Sequence, residues 1–243
     1  MAESTTDVST NKTCLLLQMG VTDYPEGQEL QKDAARRRGE GTLPDALILL
    51  QHPHTYTLGR RASVSDVLLE ADALEEIGAR VYSADRGGET TYHGPGQVVG
   101  YSVVDVRPLG GARGYVRALE ALLIDVLADF GIAGERRDGL PGAWVDNEKI
   151  AFIGVRISRG ITTHGFALNA SPDLSYFQHI VPCGIEGLAV TSMERVLGSP
   201  VSVEQVSDSL ARNFGRLFDR GLVEIGPEQL RESEAFSLPH ATF

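Results

Sequence analysis

Gly142-Ala143-Trp144-Val145-Asp146-Asn147-Glu148-Lys149-Ile150-Ala151-Phe152-Ile153-Gly154-Val155-Arg156-Ile157, followed after Gly160 by Thr162-Thr163-His164-Gly165-Phe166-Ala167-Leu168-Asn169, reads as three antiparallel strands. Asp146-Asn147-Glu148 supplies the first turn and Gly160 marks the second. With a side-chain period of two, Lys149 shares a face with Ala151, Ile153, Val155 and Ile157. A lysine at the end of such a face has two readings. It snorkels to solvent from the strand's first position, or it is a partly desolvated amine able to act as a base.

Upstream, Arg86-Gly87-Gly88-Glu89-Thr90-Thr91-Tyr92-His93-Gly94-Pro95-Gly96-Gln97 is a polar, glycine-rich loop. It feeds Val98-Val99-Gly100-Tyr101-Ser102-Val103-Val104-Asp105-Val106, which reads as a buried strand. Such a loop is either a surface turn or a pocket wall, because glycine permits close approach of a ligand. It is not a P-loop, since no Gly-Lys-Ser/Thr follows and the next element is a strand.

Before the loop, Thr13–Gly20 and Ala46–Leu50 read as buried strands, with a helix over 25–38 between them. Thr55–Arg61 is expected to continue along the same sheet. A short amphipathic helix is expected over 66–78 and a strand over 80–83. His52 and His54 invite a metal reading, but no third ligand stands in register, and a satisfied loop pair is favoured. After the central strand, Val116, Leu119, Leu122, Leu123, Val126, Leu127 and Phe130 follow helical spacing over 115–131.

Further on, Val181-Pro182-Cys183-Gly184-Ile185 holds a thiol in a tight turn. Pro182 pushes Val181 into an extended conformation, and Gly184 removes bulk beside the sulfur. The setting suits a nucleophile, although a buried cysteine is commonly a small core residue. Thr191 or Ser192 is expected to cap a helix, and 203–220 reads as the C-terminal helix.

The chain of 243 residues suits one domain with a real core, and its 42% hydrophobic and 23% charged content is that of a globular protein. Residues 1–12 read as a flexible N-terminal tail and 226–243 as a C-terminal tail around a folded domain at 13–225. A net charge of −11 argues against nucleic-acid binding, and no run is long enough for a membrane span. Cys14 and Cys183 give no disulfide framework, so a reduced, cytoplasmic protein is expected. Among 22 basic residues only Lys12, Lys32 and Lys149 are lysines, and lysine, unlike arginine, can give up its proton.

Taken together, Arg86-Gly87-Gly88 with Thr91-Tyr92-His93-Gly94-Pro95-Gly96-Gln97, Lys149-Ile150-Ala151, His164–Asn169 and Pro182–Ile185 resemble the octanoyltransferase of lipoate biosynthesis, also called lipoate-protein ligase B. The resemblance covers roughly 13–225. It implies an α/β fold, a single domain whose mixed, largely antiparallel sheet is flanked by helices, like the lipoate and biotin-protein ligase catalytic domains. It implies transfer of octanoyl from acyl carrier protein to a lysine of lipoyl domains, in 2-oxoacid dehydrogenase complexes and the glycine cleavage H protein. Cys183 matches the acyl-thioester nucleophile and Lys149 its partner. Substrate contacts carry over to Arg86, Gly87, Gly88, Glu89, Thr90, Thr91, Tyr92 and His93, to Phe152, Ile153 and Gly154, and to Gly165, Phe166 and Ala167. His93 and His164 are expected as supporting groups that orient Lys149 or the thioester.

Thioester-to-amine transfer needs no external energy, so neither a cofactor nor a metal is expected. Backbone N–H groups near Gly184 are candidates for the oxyanion, and burying an octanoyl tail is worth about 5 kcal/mol. Docking of acidic partners on an acidic chain points to the arginines at 36–38, 60–61 and 136–137. The rivals are an ATP-dependent lipoate ligase, which needs the lysine but not Cys183, an amidotransferase between lipoyl domains, and an acyl-binding protein without turnover.

Overall fold

The structure is a computed structural model that describes residues 12–232. The expected tail at 1–12 lies outside it except for Lys12, whose ammonium pairs with Asp219 at 2.9 Å.

The first strand, β1 (Thr13–Val21), passes into helix α1 (Tyr24–Glu40), which returns through Gly41 to β2 (Asp45–Gln51). Gly41 takes φ 77°, and its N–H closes the helix on the carbonyls of Arg37 and Arg38. Next come β3 (Thr55–Leu58), α2 (Ala71–Glu76), β4 (Arg80–Ser83), β5 (Thr90–His93) and β6 (Gln97–Val103). The long helix α3 (Gly111–Asp129) precedes β7 (Gly142–Val145), β8 (Glu148–Ser158) and β9 (Ile161–Asn169). The chain ends with α4 (Met193–Leu197), α5 (Val203–Leu217), β10 (Gly221–Glu224) and α6 (Pro227–Glu232).

Seven strands form one mixed sheet in the order β10-β1-β2-β6-β9-β8-β7. The β10–β1–β2 side is parallel and the remainder antiparallel. Alternation along the strands divides the core into two layers. Leu16, Leu47, Leu49, Val98, Phe166 and Leu168 pack with Leu119, Leu123, Leu210 and Phe214 of α3 and α5. Leu15, Leu17, Ile48, Val99, Tyr101 and Ala167 pack on the other face with Leu30 and Ala34 of α1.

Thr55–Leu58 does not continue the large sheet. Pro53 interrupts the run, and β3 becomes the centre of a separate three-stranded sheet, β4-β3-β5. The glycine-rich stretch is likewise not all loop, since its middle, Thr90–His93, is strand β5. The expected helix over 66–78 shrinks to α2 after a one-turn 3₁₀ segment at Val64–Asp66. This small sheet and the segment carrying Cys183 enclose a third cluster of Tyr56, Tyr92, Phe152, Phe177 and Ile180.

The stretch read as a C-terminal tail begins with ordered structure. Helix α6 buries Leu230 beside α1, and the Arg37 guanidinium donates to the Leu230 carbonyl. Strand β10 was not evident in the sequence, being four residues with one apolar pair, yet it extends the parallel edge beside β1. Residues 233–243 lie outside the described part.

Candidate active site

Between the small sheet and the β9–β8 part of the large one lies a cavity of about 420 Å³. Its walls come from three places that are distant in sequence: Arg86–Thr91 with His93, Lys149 with Phe152–Val155, and His164–Ala167. Cys183 and Ile185 border it as well.

Cys183 is on the 3₁₀ turn Pro182–Gly184 and adopts φ 57°, ψ 20°. A non-glycine residue in the left-handed region is strained, and such strain gathers at functional sites. Val181 is extended before Pro182, as the proline requires. The turn is anchored by Val181 N–H donating to the Asp66 carbonyl at 2.8 Å, and by Leu68 N–H donating to the His179 carbonyl. The sulfur is partly exposed, unlike Cys14, which is wholly buried in the core and whose thiol burial pushes upward.

Lys149 does not snorkel. It is 4% exposed, and its Nζ lies 3.7 Å from Cys183 Sγ. Nor does it keep the strict alternation expected of β8. The β7–β8 register slips by one residue between Ala143 and Trp144, a bulge that re-aims the side chain. Nζ consequently stands 5.2 Å from the ring centres of both Trp144 and Phe152. Lys149 is also held from behind, its N–H donating to Ala189 O and its carbonyl accepting from Thr191 N–H.

Arg86 organises the opposite wall. Its guanidinium is buried and donates to the carbonyls of Gly87, Glu89 and Thr57 and to Thr57 Oγ1. Burial pulls its pKa below the usual arginine value. Gly154 leaves room for this side chain, because a Cβ there would sit 2.9 Å from Arg86 Cδ. Gly87 N–H donates to the Val155 carbonyl at 2.9 Å and ties the loop to the free edge of β8. Glu89 pairs with Arg61 at 2.7 Å and leans over Gly184.

Most of the residues expected at the substrate site line the cavity, with one exception. Tyr92 points away from it. Along β5, Thr91 and His93 take the cavity side, while Tyr92 goes into the third cluster, stacking on Tyr176 and bonding His54 Nδ1 at 2.8 Å. The histidines do not orient Lys149 either. His93 Nδ1 bonds Gln97 Oε1 at 2.8 Å, and His164 Nε2 bonds Asp85 at 2.7 Å. Burial lowers the pKa of both, that of His93 strongly. His52 is a satisfied pair member as expected, its Nδ1–H donating to the Thr22 carbonyl and its Nε2 accepting from Tyr101 OH, each at 2.7 Å.

Two further expectations change. Gly184 N–H already donates to Val181 O at 3.2 Å and Ile185 N–H to Pro182 O at 3.1 Å, so neither is a ready oxyanion donor. The arginines at 36–38 are not an open patch: Arg36 pairs with Asp33 and Glu40, and Arg38 with Asp45. Arg136 pairs with Glu120, and Arg137 with Glu135 and Asn147. Tyr24, Val99, Tyr101, Val116 and Leu140 also line the cavity and were missed. They carry no local motif, and only the fold brings them there.

The lipoyl protein ligase A/B catalytic domain family matches residues 23–215. The chain is 48% identical over 209 residues to an octanoyltransferase of Solibacter usitatus, covering 86% of this chain and 94% of that one. It is 43% identical to an octanoyltransferase of Syntrophobacter fumaroxidans, with 86% and 92% covered. Among solved structures, a lipoate-protein ligase A bound with ATP superposes with a TM-score of 0.70 at 19% identity, covering 90% of this chain and 92% of that one. A bipartite archaeal lipoate protein ligase from Thermoplasma acidophilum gives 0.69 at 19% identity, with 90% of each covered. The chain belongs to the octanoyltransferase family and has the α/β fold of lipoate ligase catalytic domains.

Proposed function

We propose that the protein transfers an octanoyl group from acyl carrier protein to a lysine of lipoyl domains, through a thioester on Cys183 with Lys149 as proton carrier. The observation that carries this reading is the 3.7 Å approach of Lys149 Nζ to Cys183 Sγ at the wall of an acyl-sized cavity. The lipoyl domains are those of 2-oxoacid dehydrogenase complexes and the glycine cleavage H protein. Two free thiols fit work in the reducing cytoplasm.

In the first half-reaction Lys149 takes the thiol proton and the sulfur attacks the donor's thioester carbonyl. The carrier's sulfur leaves with the proton from Lys149. Octanoyl-S-carrier and Cys183–SH become octanoyl-S-Cys183 and carrier–SH. In the second, the acceptor's neutral amine attacks the new thioester, its proton passes to Lys149, and the Cys183 sulfur leaves and is reprotonated. Each tetrahedral oxyanion forms within reach of the Lys149 head group, the positive counterpart that the engaged Gly184 N–H does not provide. Apolar walls at Phe152, Ile153 and Phe166 bury the tail at about 0.8 kcal/mol per methylene.

Intact mass measurement after mixing with octanoyl-acyl carrier protein, without ATP, tests the reading. The expected result is one added octanoyl group, removed by hydroxylamine, absent in Cys183→Ser and passed on to an apo lipoyl domain. ATP-dependent modification by free octanoate, with no adduct on the enzyme, would make the chain a ligase.

A further inference from the structure

His164 departs from the rule that governs its strand. It faces Val155 across the β8–β9 ladder and stands two residues before Phe166, so a regular strand would place it in the layer against α3. Instead it takes φ 60°, in the left-handed region. The ring turns to the opposite face, edge-on to Tyr101 with centroids 6.0 Å apart. Three contacts hold it there. Its N–H donates to Gln31 Oε1, its Nε2 is bonded to Asp85 at 2.7 Å, and Asp85 is bonded in turn to Arg156. The ring borders the same cavity as Cys183 and is 3% exposed.

Tyr24 and Tyr101, 4% and 3% exposed, close the cavity beside it, and Tyr101 OH is fixed by His52. Between this wall and the Cys183–Lys149 pair the cavity is bordered by Phe152, Gly154, Gly165 and Ala167 of the sheet, with the Arg86 side chain lying over Gly154. Gly154 pairs with Gly165, and Phe152 pairs with Ala167. Lys149 Nζ is 5.2 Å from the Phe152 ring. From Phe152 to Val155, the partner of His164, is three strand steps, about 10 Å. An extended eight-carbon acyl chain, with C–C bonds of about 1.5 Å, spans about 9 Å from carbonyl to methyl.

Resting on the thioester reading above, we infer that His164, turned into the slot and braced by Asp85, is the stop that ends the acyl chain at about eight carbons. The left-handed backbone is what puts an imidazole at the end of a channel bordered by Phe152, Ala167 and the Arg86 side chain over Gly154. A chain longer by two methylenes must displace the buried His164 ring and break its hydrogen bond to Asp85. In a slot without a stop each added methylene would improve binding about fourfold.

The test is single-turnover acylation of Cys183 by hexanoyl-, octanoyl-, decanoyl- and dodecanoyl-acyl carrier protein, read by intact mass. The wild type is expected to prefer octanoyl and to fall sharply at decanoyl. His164→Gly, which adopts φ 60° without strain, is expected to raise the decanoyl-to-octanoyl rate ratio at least fivefold. His164→Asn, also tolerant of that backbone, guards against a folding defect in the glycine variant and should raise the ratio in the same direction. A purely structural role would slow all donors alike. A ratio raised less than fivefold in a folded glycine variant, or a wild type indifferent to length, overturns the inference while leaving the thioester intact. A wild type acylated by none of the four donors overturns the underlying reading instead.

Discussion

Lys149 Nζ and Cys183 Sγ approach to 3.7 Å although 34 positions separate them in the chain. Neither is placed by its own element alone. A bulge in β8 aims the lysine, and a left-handed residue in the Pro182–Gly184 turn aims the sulfur. Two local departures from regular backbone thus converge on one pair.

The pair gives separable losses. Cys183→Ser should form no octanoyl adduct that hydroxylamine removes. Lys149→Ala should lower transfer by about 10³-fold, within the range for loss of a positioned general base. Lys149→Arg keeps a cation but cannot carry the proton. It should lose transfer to the acceptor amine more completely than it loses self-acylation. Stopped-time mass measurement of each half-reaction checks this, and full turnover by Lys149→Ala would refute the dyad.

Gly184 follows Cys183 and also takes a positive φ, 67°. A Cβ there would meet Glu89 Cγ at 3.1 Å. Gly184→Ala should cost about 1–2 kcal/mol from the left-handed backbone alone, and displacement of Glu89 should disturb the cavity mouth. Thermal melting should show the first effect and acylation rates the second. An unchanged melting temperature would mean that the turn relaxes freely.

His52 makes the fold sensitive to acid. Burial pushes its pKa from 6.5 down to about 4, with the Thr22 carbonyl bond opposing the shift. Between those values the unfolded chain binds the extra proton and the folded one does not. Stability is therefore complete above about pH 6.5 and is lost as the pH falls, by about 3 kcal/mol at pH 4. His93 and His164 act with the same sign. Urea unfolding from pH 7 to 4.5 should show a shallower loss in His52→Gln than in the wild type. Parallel slopes would remove His52 from the account.

Helix α6 should stabilise the domain although it lies beyond the core expected from sequence. Leu230 is 1% exposed against α1. Leu230→Ala should cost about 2–3 kcal/mol in urea unfolding, as for other buried leucines. A change below about 0.5 kcal/mol would show that the helix is only loosely docked.

The sequence by itself determined the elements whose signal is local. Apolar periodicity marked α3 and the three strands from Gly142 to Asn169, because side-chain period follows directly from backbone geometry. Four short motifs sufficed to indicate the family and the parts of the cavity wall around Arg86–His93, Lys149, His164–Ala167 and Cys183. Only the tertiary structure decided where those periods break. Thr55–Leu58 looked like a continuation of β2 and became a second sheet, since Pro53 ends the ladder and long-range pairing chooses the new partner. The bulge at Lys149 and the left-handed turn of His164 are held by neighbours distant in sequence: Ala189 for one, Gln31 and Asp85 for the other. Tyr24 and Tyr101 reach the slot for the same reason. A residue's type and spacing fix which backbone it prefers, whereas the contacts that override the preference exist only once the chain has closed on itself.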